Sequence, residues 1–344
     1  MKGYFHRVAE QTPTGFWINN VTQKEAHMAI EAGASGCTQN PSYVWKMLTH
    51  PTDSAHALEL LDKFMAQYSD DNEVEVALQR ALVGEIAEIF RPMYEASGGK
   101  AGFVSIQGDP FQEDTETIVR MARFNREAGP NIMAKIPATI DGLKAIGILA
   151  KEGVPINATE VMSARQTLDV CEVYAEATKG MANPPVIYFS HIAGIFDEYI
   201  AEYAEKIGAD VPKDYLWQAG IACAKKIDQL VHETGVNIGF ISGGARGLHH
   251  YTEMVGCKCV TTINWIGTAD KLIEQDPPVV QRFLQPTPHS VVDTLCEKLP
   301  DFRKAYEVNA IKPDEYEEYG PVVRFRTSFE KSWKSTLDLI KSKR

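Results

Sequence analysis

Short apolar runs rich in β-branched residues alternate along the chain with longer segments in which apolar residues recur every three or four positions. The first pattern is typical of buried strands, and the second is typical of amphipathic helices. Strands are predicted at residues 16–19, 35–38, 102–107, 131–136, 154–159, 185–190, 236–242 and 258–263. Eight strands alternating with helices favour a closed parallel (β/α)8 barrel, the TIM-barrel fold.

Helical segments add to this barrel in two places. About sixty residues separate the second and third strands and include a predicted long helix over 72–96, which we interpret as an insertion on the outside of the barrel. A C-terminal extension from about 286 to 344 is predicted to hold helices at 290–299 and 328–342. No repeat or linker divides the chain, so we predict one domain over 1–344 with the barrel at about 14–285. A doubly wound open sheet is the main alternative, but no G-x-G-x-x-G follows the first strand.

Composition narrows the possible partners. A net charge of −11 and a pI near 5.4 argue against nucleic acid, because phosphate backbones require clustered Lys and Arg. No apolar run reaches the roughly 18 residues that span a bilayer, and the first residues lack the apolar stretch of a secretory signal, so a cytoplasmic protein is expected. Six scattered cysteines, including the Cys257–Cys259 pair, indicate neither a disulfide framework nor a zinc site.

Polar residues stand where the predicted strands end. In a parallel barrel the C-terminal strand ends point into one pocket, which is where catalytic groups are found. The strand ends contribute Asn19, Thr38, Asn40, Gln107, Asp109, Lys135, Asn157, Thr159, Ser190 and Arg246. A barrel built only for stability would be expected to hold Val, Ile and Leu at such positions.

Lys135 is the most informative of these residues because apolar Met133 and Ile136 surround it and Pro137 ends the strand. Burial disfavours the charged ammonium and lowers the pKa, which leaves a fraction of free amine able to attack a ketone or aldehyde. The alternative is a structural lysine paired with a carboxylate.

Five stretches carry a family resemblance, in this order: GCTQNPS at 36–42, GFVSIQGDP at 102–110, NIMAKIPATIDGLKAI at 131–146, GVPINATEVMSARQ at 153–166 and SHIAG at 190–194. Together they resemble the transaldolase family, including its fructose-6-phosphate aldolase branch, over about residues 16–263. The resemblance implies a class I aldolase or transaldolase of carbohydrate metabolism, as in the pentose phosphate pathway. It also implies a ketose or sugar-phosphate substrate and no metal or organic cofactor.

Roles follow from the resemblance position by position. Lys135 would form the Schiff base, and Asn40 and Asn157 would hold sugar hydroxyls or the carbinolamine. Thr159 and Ser190 would line the pocket and help place a water.

Two further positions complete the implied substrate site. Thr38 would also contact the substrate, and Arg246 would bind a phosphate. The Gly-rich turn at 242–247 supports this last role, since barrels often bind phosphate there; a tight turn with a solvated arginine is the alternative.

The chain departs from the family where the family uses carboxylates. The aspartate that ends the first strand is Asn19, and the glutamate that ends the third strand is Gln107, although the fructose-6-phosphate aldolase branch also has glutamine there. The proline, aromatic residue and arginine of the sixth strand correspond to His191, Ile192 and Ile195. A serine two residues before Arg246 is Gly244.

Candidate replacements for the missing acids are Glu160, His191, Asp109 and Asp197. Strand alternation predicts that Glu160, next to the inward Thr159, points toward the helices unless the strand has ended. His249 and His250, after the Gly-rich turn, are predicted to lie on a helix surface.

Three functions stay open at this point. The leading hypothesis is a Schiff-base aldolase or transaldolase; the second is a sugar-phosphate binding or regulatory homologue that has lost turnover; the third is a different Schiff-base lyase acting on an unphosphorylated substrate. Aromatic residues of the extension could cover the pocket, form a homodimer contact or, as we favour, pack on the barrel wall: Tyr316, Tyr319, Phe325, Phe329 and Trp333.

Overall fold

The computed structural model describes residues 2–344, and its centre is a closed barrel of eight parallel strands in chain order. The strands are β1 Gly15–Asn19, β2 Gly36–Thr38, β3 Phe103–Gln107, β4 Ile132–Pro137, β5 Ile156–Val161, β6 Ile187–His191, β7 Gly239–Ser242 and β8 Val260–Asn264. Pairing of β1 with β8 closes the barrel. The predicted (β/α)8 fold is therefore confirmed, with all eight strands at the predicted places.

Helices surround this barrel. They are α1 Tyr4–Gln11, α2 Gln23–Ala32, α3 Tyr43–Leu48, α4 Ser54–Gln67, α5 Asp71–Ala96, α6 Thr115–Arg126, α7 Ile140–Lys151, α8 Ala164–Ala177, α9 Ala193–Lys206, α10 Lys213–Leu216, α11 Ala219–Thr234, α12 His249–Thr252, α13 Asp270–Gln275, α14 His289–Lys298, α15 Pro300–Tyr306 and α16 Gly320–Lys343. Three of them, α3 to α5, form the long connection between β2 and β3, and α5 packs against β3. Among residues 2–344, no helix has both the length and the apolarity needed to cross a bilayer.

Side-chain caps fix where several of these helices begin. Asp114 accepts a hydrogen bond from the Thr117 amide at 3.0 Å and starts α6, and Thr139 and Ser163 cap α7 and α8 in the same way. Each cap satisfies a backbone N–H that has no partner inside the helix. The helices after β3, β4 and β5 are thus fixed next to the strand ends that carry the candidate chemistry.

The barrel interior is apolar at its N-terminal end and polar toward its C-terminal end. Trp17, Phe103, Met133 and Ile241 pack together as the apolar layer. Gly36 makes room for them, because a Cβ on this residue would lie 2.4 Å from the Trp17 indole. The apolar layer closes the barrel below and leaves the opposite mouth for polar groups.

The last helix, α16, extends over the barrel mouth. It begins at Gly320, eight residues before the predicted start at 328, so that prediction was wrong. Pro321 in the first turn suits a helix start, since its missing N–H would have no partner there. The additional turns place Phe325 above the mouth beside Phe329.

We predict that Gly36→Ala destabilises the fold by about 1–3 kcal/mol, the usual cost of overpacking a core. The added methyl would overlap the indole of Trp17, which is itself enclosed by the apolar layer. Urea unfolding measures the change. Gly147→Ala in α7 is the matched control, because its nearest contact is an ordinary 3.4 Å from Val173; equal stability of both variants would contradict the prediction.

Candidate active site

A cavity of about 270 Å³ opens at the C-terminal ends of the strands. Its polar lining comes from six strands, from the loops after β1, β2 and β7 and from Ser328 of α16, and its apolar lining includes Ile192, Ile195 and the two α16 phenylalanines. The predicted site residues along its wall are Asn19, Thr38, Asn40, Lys135, Thr159, Ser190 and Arg246. Asn157 lies buried below the cavity, and Gln107 lies on the far side of Lys135.

Lys135 points into the barrel with its side chain almost fully buried. Its ammonium nitrogen lies 5.9 Å and 5.8 Å from the ring centres of Phe325 and Phe329, and it forms no ion pair within residues 2–344. Burial lowers the pKa of Lys135 to about 8, an effect that the nearby Glu160 carboxylate partly opposes. About a tenth of the Lys135 side chains are therefore neutral at pH 7. The alternative of a lysine held by a carboxylate is wrong.

Asn19 is held by its neighbours on both sides. Its Nδ2 donates to Asn264 Oδ1 at 3.0 Å, and its Oδ1 accepts from the Thr38 hydroxyl at 2.9 Å. Thr38 also shares a 2.7 Å hydrogen bond with Thr262. An amide in this network orients the hydroxyls around it, but it cannot take up a proton as the family's aspartate would.

Asn40, just after the neighbouring strand β2, belongs to a second amide pair. Its Oδ1 accepts from Asn20 Nδ2 at 2.9 Å and from the Ser42 amide at 3.0 Å. Because the carbonyl oxygen is occupied by these donors, the Nδ2 group of Asn40 is the part available to a ligand.

A polar layer lies directly beneath Lys135. Ser190 donates to Asn157 Oδ1 at 2.6 Å, and Asn157 Nδ2 reaches the Ser105 hydroxyl at 3.3 Å. The hydroxyl of Thr159 is buried and has no hydrogen-bond partner within residues 2–344. It is consequently free to bind a hydroxyl or a water that enters the cavity.

Glu160 points to the site, so the prediction that it faces the helices was wrong. Its φ of 60° lies in the left-handed region, and the register between β5 and β6 shifts between Ala158 and Val161. This irregularity breaks the strand alternation on which the prediction depended. Glu160 accepts a 3.0 Å hydrogen bond from Gln107 Nε2, and burial raises the pKa of Glu160 to about 7.

Glu113, in the loop after β3, is a second acid that sequence reasoning missed. With Gln107 and Lys135 it lines a small cavity of about 20 Å³ beside the main one. Its side chain is 11% exposed and lies 3.8 Å from the Arg326 guanidinium of α16. Burial and the Glu160 charge raise the pKa of Glu113 well above its usual range. A charged residue just before a helix gives no sequence signal of burial.

His191 faces away from the cavity. Its ring nitrogens lie 2.9 Å from the Val161 carbonyl oxygen and 3.0 Å from that of Gly220, and the side chain is fully buried. This placement argues against a direct catalytic role for His191. The Asp109 side chain bonds within its own loop, where it accepts a hydrogen bond from the Phe111 amide at 2.8 Å.

His250 is buried, so its prediction as a helix-surface residue was wrong. Its Nε2 lies 3.0 Å from Asp197 Oδ2, and its Nδ1 accepts from the Arg246 amide at 3.2 Å. Burial lowers the pKa of His250 to about 4, so the ring is neutral at pH 7. The hydrogen bonds from Asp197 through His250 fix the backbone of the Gly-rich turn.

The Arg246 side chain lies at the rim of the cavity and faces an acid. Its Nε donates to Glu198 at 3.1 Å, and Glu198 also lies 3.2 Å from the Arg324 guanidinium of α16. Ile195, at the position of the family's second arginine, contributes only apolar wall. Arg324 of α16 thus brings a second positive charge near Arg246.

The family model for transaldolase and fructose-6-phosphate aldolase matches residues 16–302. The chain belongs to this family. Curated relatives named transaldolase include proteins of Saccharopolyspora erythraea, 32% identical over 46% of this chain, and Acidothermus cellulolyticus, 27% identical over 63% of this chain. A transaldolase of Neisseria gonorrhoeae is 27% identical over 61%.

The matched stretch spans only part of those transaldolases. It covers 44% of the Saccharopolyspora protein and 61% of each of the other two. The family match over residues 16–302 establishes the family of this chain, and the partial coverage of these relatives carries no further property over to it.

We predict that Phe325→Ala and Phe329→Ala each raise the pKa of Lys135 toward its ordinary value of 10.5, because each opens the amine to water. The neutral fraction at pH 7 should fall about tenfold. Reductive methylation of Lys135 with formaldehyde, followed by peptide mass spectrometry across pH, measures this. Phe111→Ala, at a phenylalanine that is 52% exposed, is the control. An unchanged pH profile in both α16 variants would contradict the burial argument.

Proposed function

We propose that this chain is a Schiff-base aldolase or transaldolase in which Lys135 condenses with the carbonyl of a ketose. The reaction cleaves or transfers a dihydroxyacetone-type unit, and the substrate is a sugar or sugar phosphate. Family membership supports this general class of chemistry. The observation that carries the proposal is the partly neutral, unpaired amine of Lys135 beside a cavity rich in hydroxyl and amide groups.

The cavity volume supports a small substrate. At about 270 Å³ it lies close to the lower end of the ~300 to 1,000 Å³ range of small-molecule sites. Asn40, Ser190, Thr38 and Thr159 are the groups that we assign to substrate hydroxyls, with Asn157 supporting Ser190 from below.

The chemistry begins when the neutral Nζ of Lys135 attacks the carbonyl carbon and forms a carbinolamine. Loss of the carbinolamine oxygen as water gives the protonated imine, which withdraws electrons from the bond that is then cleaved. Cleavage also needs a base for the proton of the substrate hydroxyl, and Asn19 cannot take it. We assign to Thr159 and Gln107 the holding of the water and the hydroxyl during dehydration rather than proton exchange; the unpartnered Thr159 hydroxyl and the position of Gln107 beside Lys135 support this.

A binding protein without turnover is the second candidate, and the amide at position 19 favours it. Loss of a general acid or base costs about 10² to 10⁴ in rate, so the carbinolamine could form while cleavage is slow. Imine trapping without product release is the result that this candidate predicts.

Borohydride trapping tests the proposed function. We predict that fructose 6-phosphate or dihydroxyacetone, followed by borohydride, adds one substrate-derived mass to the Lys135 peptide. The adduct forms because reduction fixes the imine as a stable amine. Lys135→Met should abolish the adduct, and Lys179→Met, at a lysine whose side chain is 79% exposed, should label like the wild type. Absence of any Lys135 adduct across a panel of ketoses and aldehydes would reject covalent chemistry.

Glu198→Gln tests phosphate binding at Arg246. We predict that the substitution increases the preference for phosphorylated over unphosphorylated ketoses several-fold, because Glu198 now occupies the guanidinium that a phosphate would bind. The preference is measured as the ratio of KM values for a phosphorylated ketose and its unphosphorylated counterpart. Where turnover is slow, the ketose concentrations that give half-maximal imine trapping are compared instead. Glu202→Gln, which removes an acid that contacts Arg324 but not Arg246, is the control. An unchanged preference would favour an unphosphorylated substrate.

A further inference from the structure

Two buried acids stand beside Lys135 although the family's two carboxylates are absent. Glu160 and Glu113 flank the Gln107 amide, and Gln107 is the register partner of Lys135 in the β3–β4 pair. We propose that Glu113 and Glu160 form a proton-holding pair that supplies the acid–base function in imine formation and hydrolysis which Gln107 cannot provide. This inference rests on the proposed function of Lys135.

The geometry of Gln107 supports the pairing. Its Nε2 donates to Glu160 Oε1 at 3.0 Å, and Gln107 and Glu113 line the same small inner cavity. The remaining oxygen of Glu160 and both oxygens of Glu113 are buried and accept no hydrogen bond within residues 2–344. Unpartnered buried carboxyl oxygens are costly when ionised, so a proton on the pair is the favoured state.

The surrounding charges also favour a shared proton. Two carboxylates on either side of Gln107 in a buried site repel each other when both are ionised, and only part of that repulsion is offset by cations. The titratable groups that face the pair are Lys135 from β4, and Glu317, Arg326 and Glu330 from the C-terminal segment. Burial raises the pKa of both carboxyl groups, which favours a proton on the pair.

Glu113 connects the site to solvent. It lines the small inner cavity together with Lys135 and Gln107, and it also lines an outer cleft with Arg326, Glu317 and Glu330. The inner cavity, at about 20 Å³, exceeds the roughly 10–15 Å³ that one water needs. A proton held by Glu113 can thus move inward through one water and be replaced from the outer cleft.

The proposed step conserves atoms and charge. During dehydration, Glu113 gives its proton through that water to the carbinolamine oxygen, the C–O bond breaks, and the oxygen leaves as water. The lone pair of Lys135 Nζ forms the C=N bond of the protonated imine, and Glu113 becomes a carboxylate that Arg326 faces at 3.8 Å. In hydrolysis, the carboxylate takes the proton back from the water that adds to the imine carbon.

The first measurement is independent of any substrate. An infrared titration of the whole protein should show the carbonyl band of a protonated carboxylic acid at pH 7. The part of the band that the pair contributes should titrate at lower pH in Glu113→Gln or Glu160→Gln, because the like charge is removed. It should be missing from the double variant, while the contributions of buried Glu75 and Asp197 remain. Glu176→Gln, at an exposed glutamate of α8, should match the wild type. A band unaffected by the double substitution would overturn the shared proton.

The second measurement follows the rate of imine formation. With dihydroxyacetone as the probe and a borohydride quench, Glu113→Gln should slow Lys135 labelling at pH 7 by about 10²-fold, the lower end of the range for proton transfer. The final extent of labelling should stay the same, which a merely misfolded variant would not show. Unchanged rates and pH profiles in both single variants would overturn the proposed role. If the wild-type protein forms no adduct, the proposed function itself fails, while the infrared titration still decides whether the pair holds a proton.

Discussion

A primary amine buried without a counter-ion is the feature on which the rest of this site depends. Taking the ammonium of Lys135 out of water is unfavourable, and in this barrel burial lowers the pKa so that a fraction of the amine is neutral, rather than a counter-ion pairing with it. The apolar layer at the bottom of the barrel and the two phenylalanines of α16 above limit the access of water to the amine. The closed strands hold the amine at the cavity wall, where a carbonyl carbon can reach it.

The same constraint explains why acids near Lys135 stand at a distance. A carboxylate in contact with the ammonium would stabilise the charged form and remove the nucleophile. Glu160 acts on Lys135 without forming an ion pair, and its carboxyl binds Gln107 instead. Amides at positions 19 and 107 are therefore compatible with a reactive lysine. In the proposed mechanism, Glu113 and Glu160 exchange the protons instead.

The barrel and most of the cavity wall could be predicted from the sequence because both depend on regular patterns. Strand periodicity places Lys135, Thr159 and Ser190 on the inner face, and the order of the family motifs fixes which strand ends meet. These predictions concern where the side chains lie in the barrel. The catalytic and binding roles assigned to the same residues have not been tested.

The missed features all depend on local departures from those patterns. The positive φ of Glu160 reverses its direction, which alternation cannot foresee. The early start of α16 brings Phe325 and Arg326 over the site from a segment with no strand register to place it. Burial of His250 depends on Asp197 from a different helix, a contact that only the folded chain defines.

The function of this site depends on a Lys135 amine that is buried, unpaired and partly neutral near physiological pH. Nuclear magnetic resonance of the protein with isotope-labelled lysine, assigned with Lys135→Met, gives the pKa of this amine directly. The account predicts a value of about 8. A value at or above the ordinary 10.5 would show that the amine is solvated or paired, and it would contradict the account.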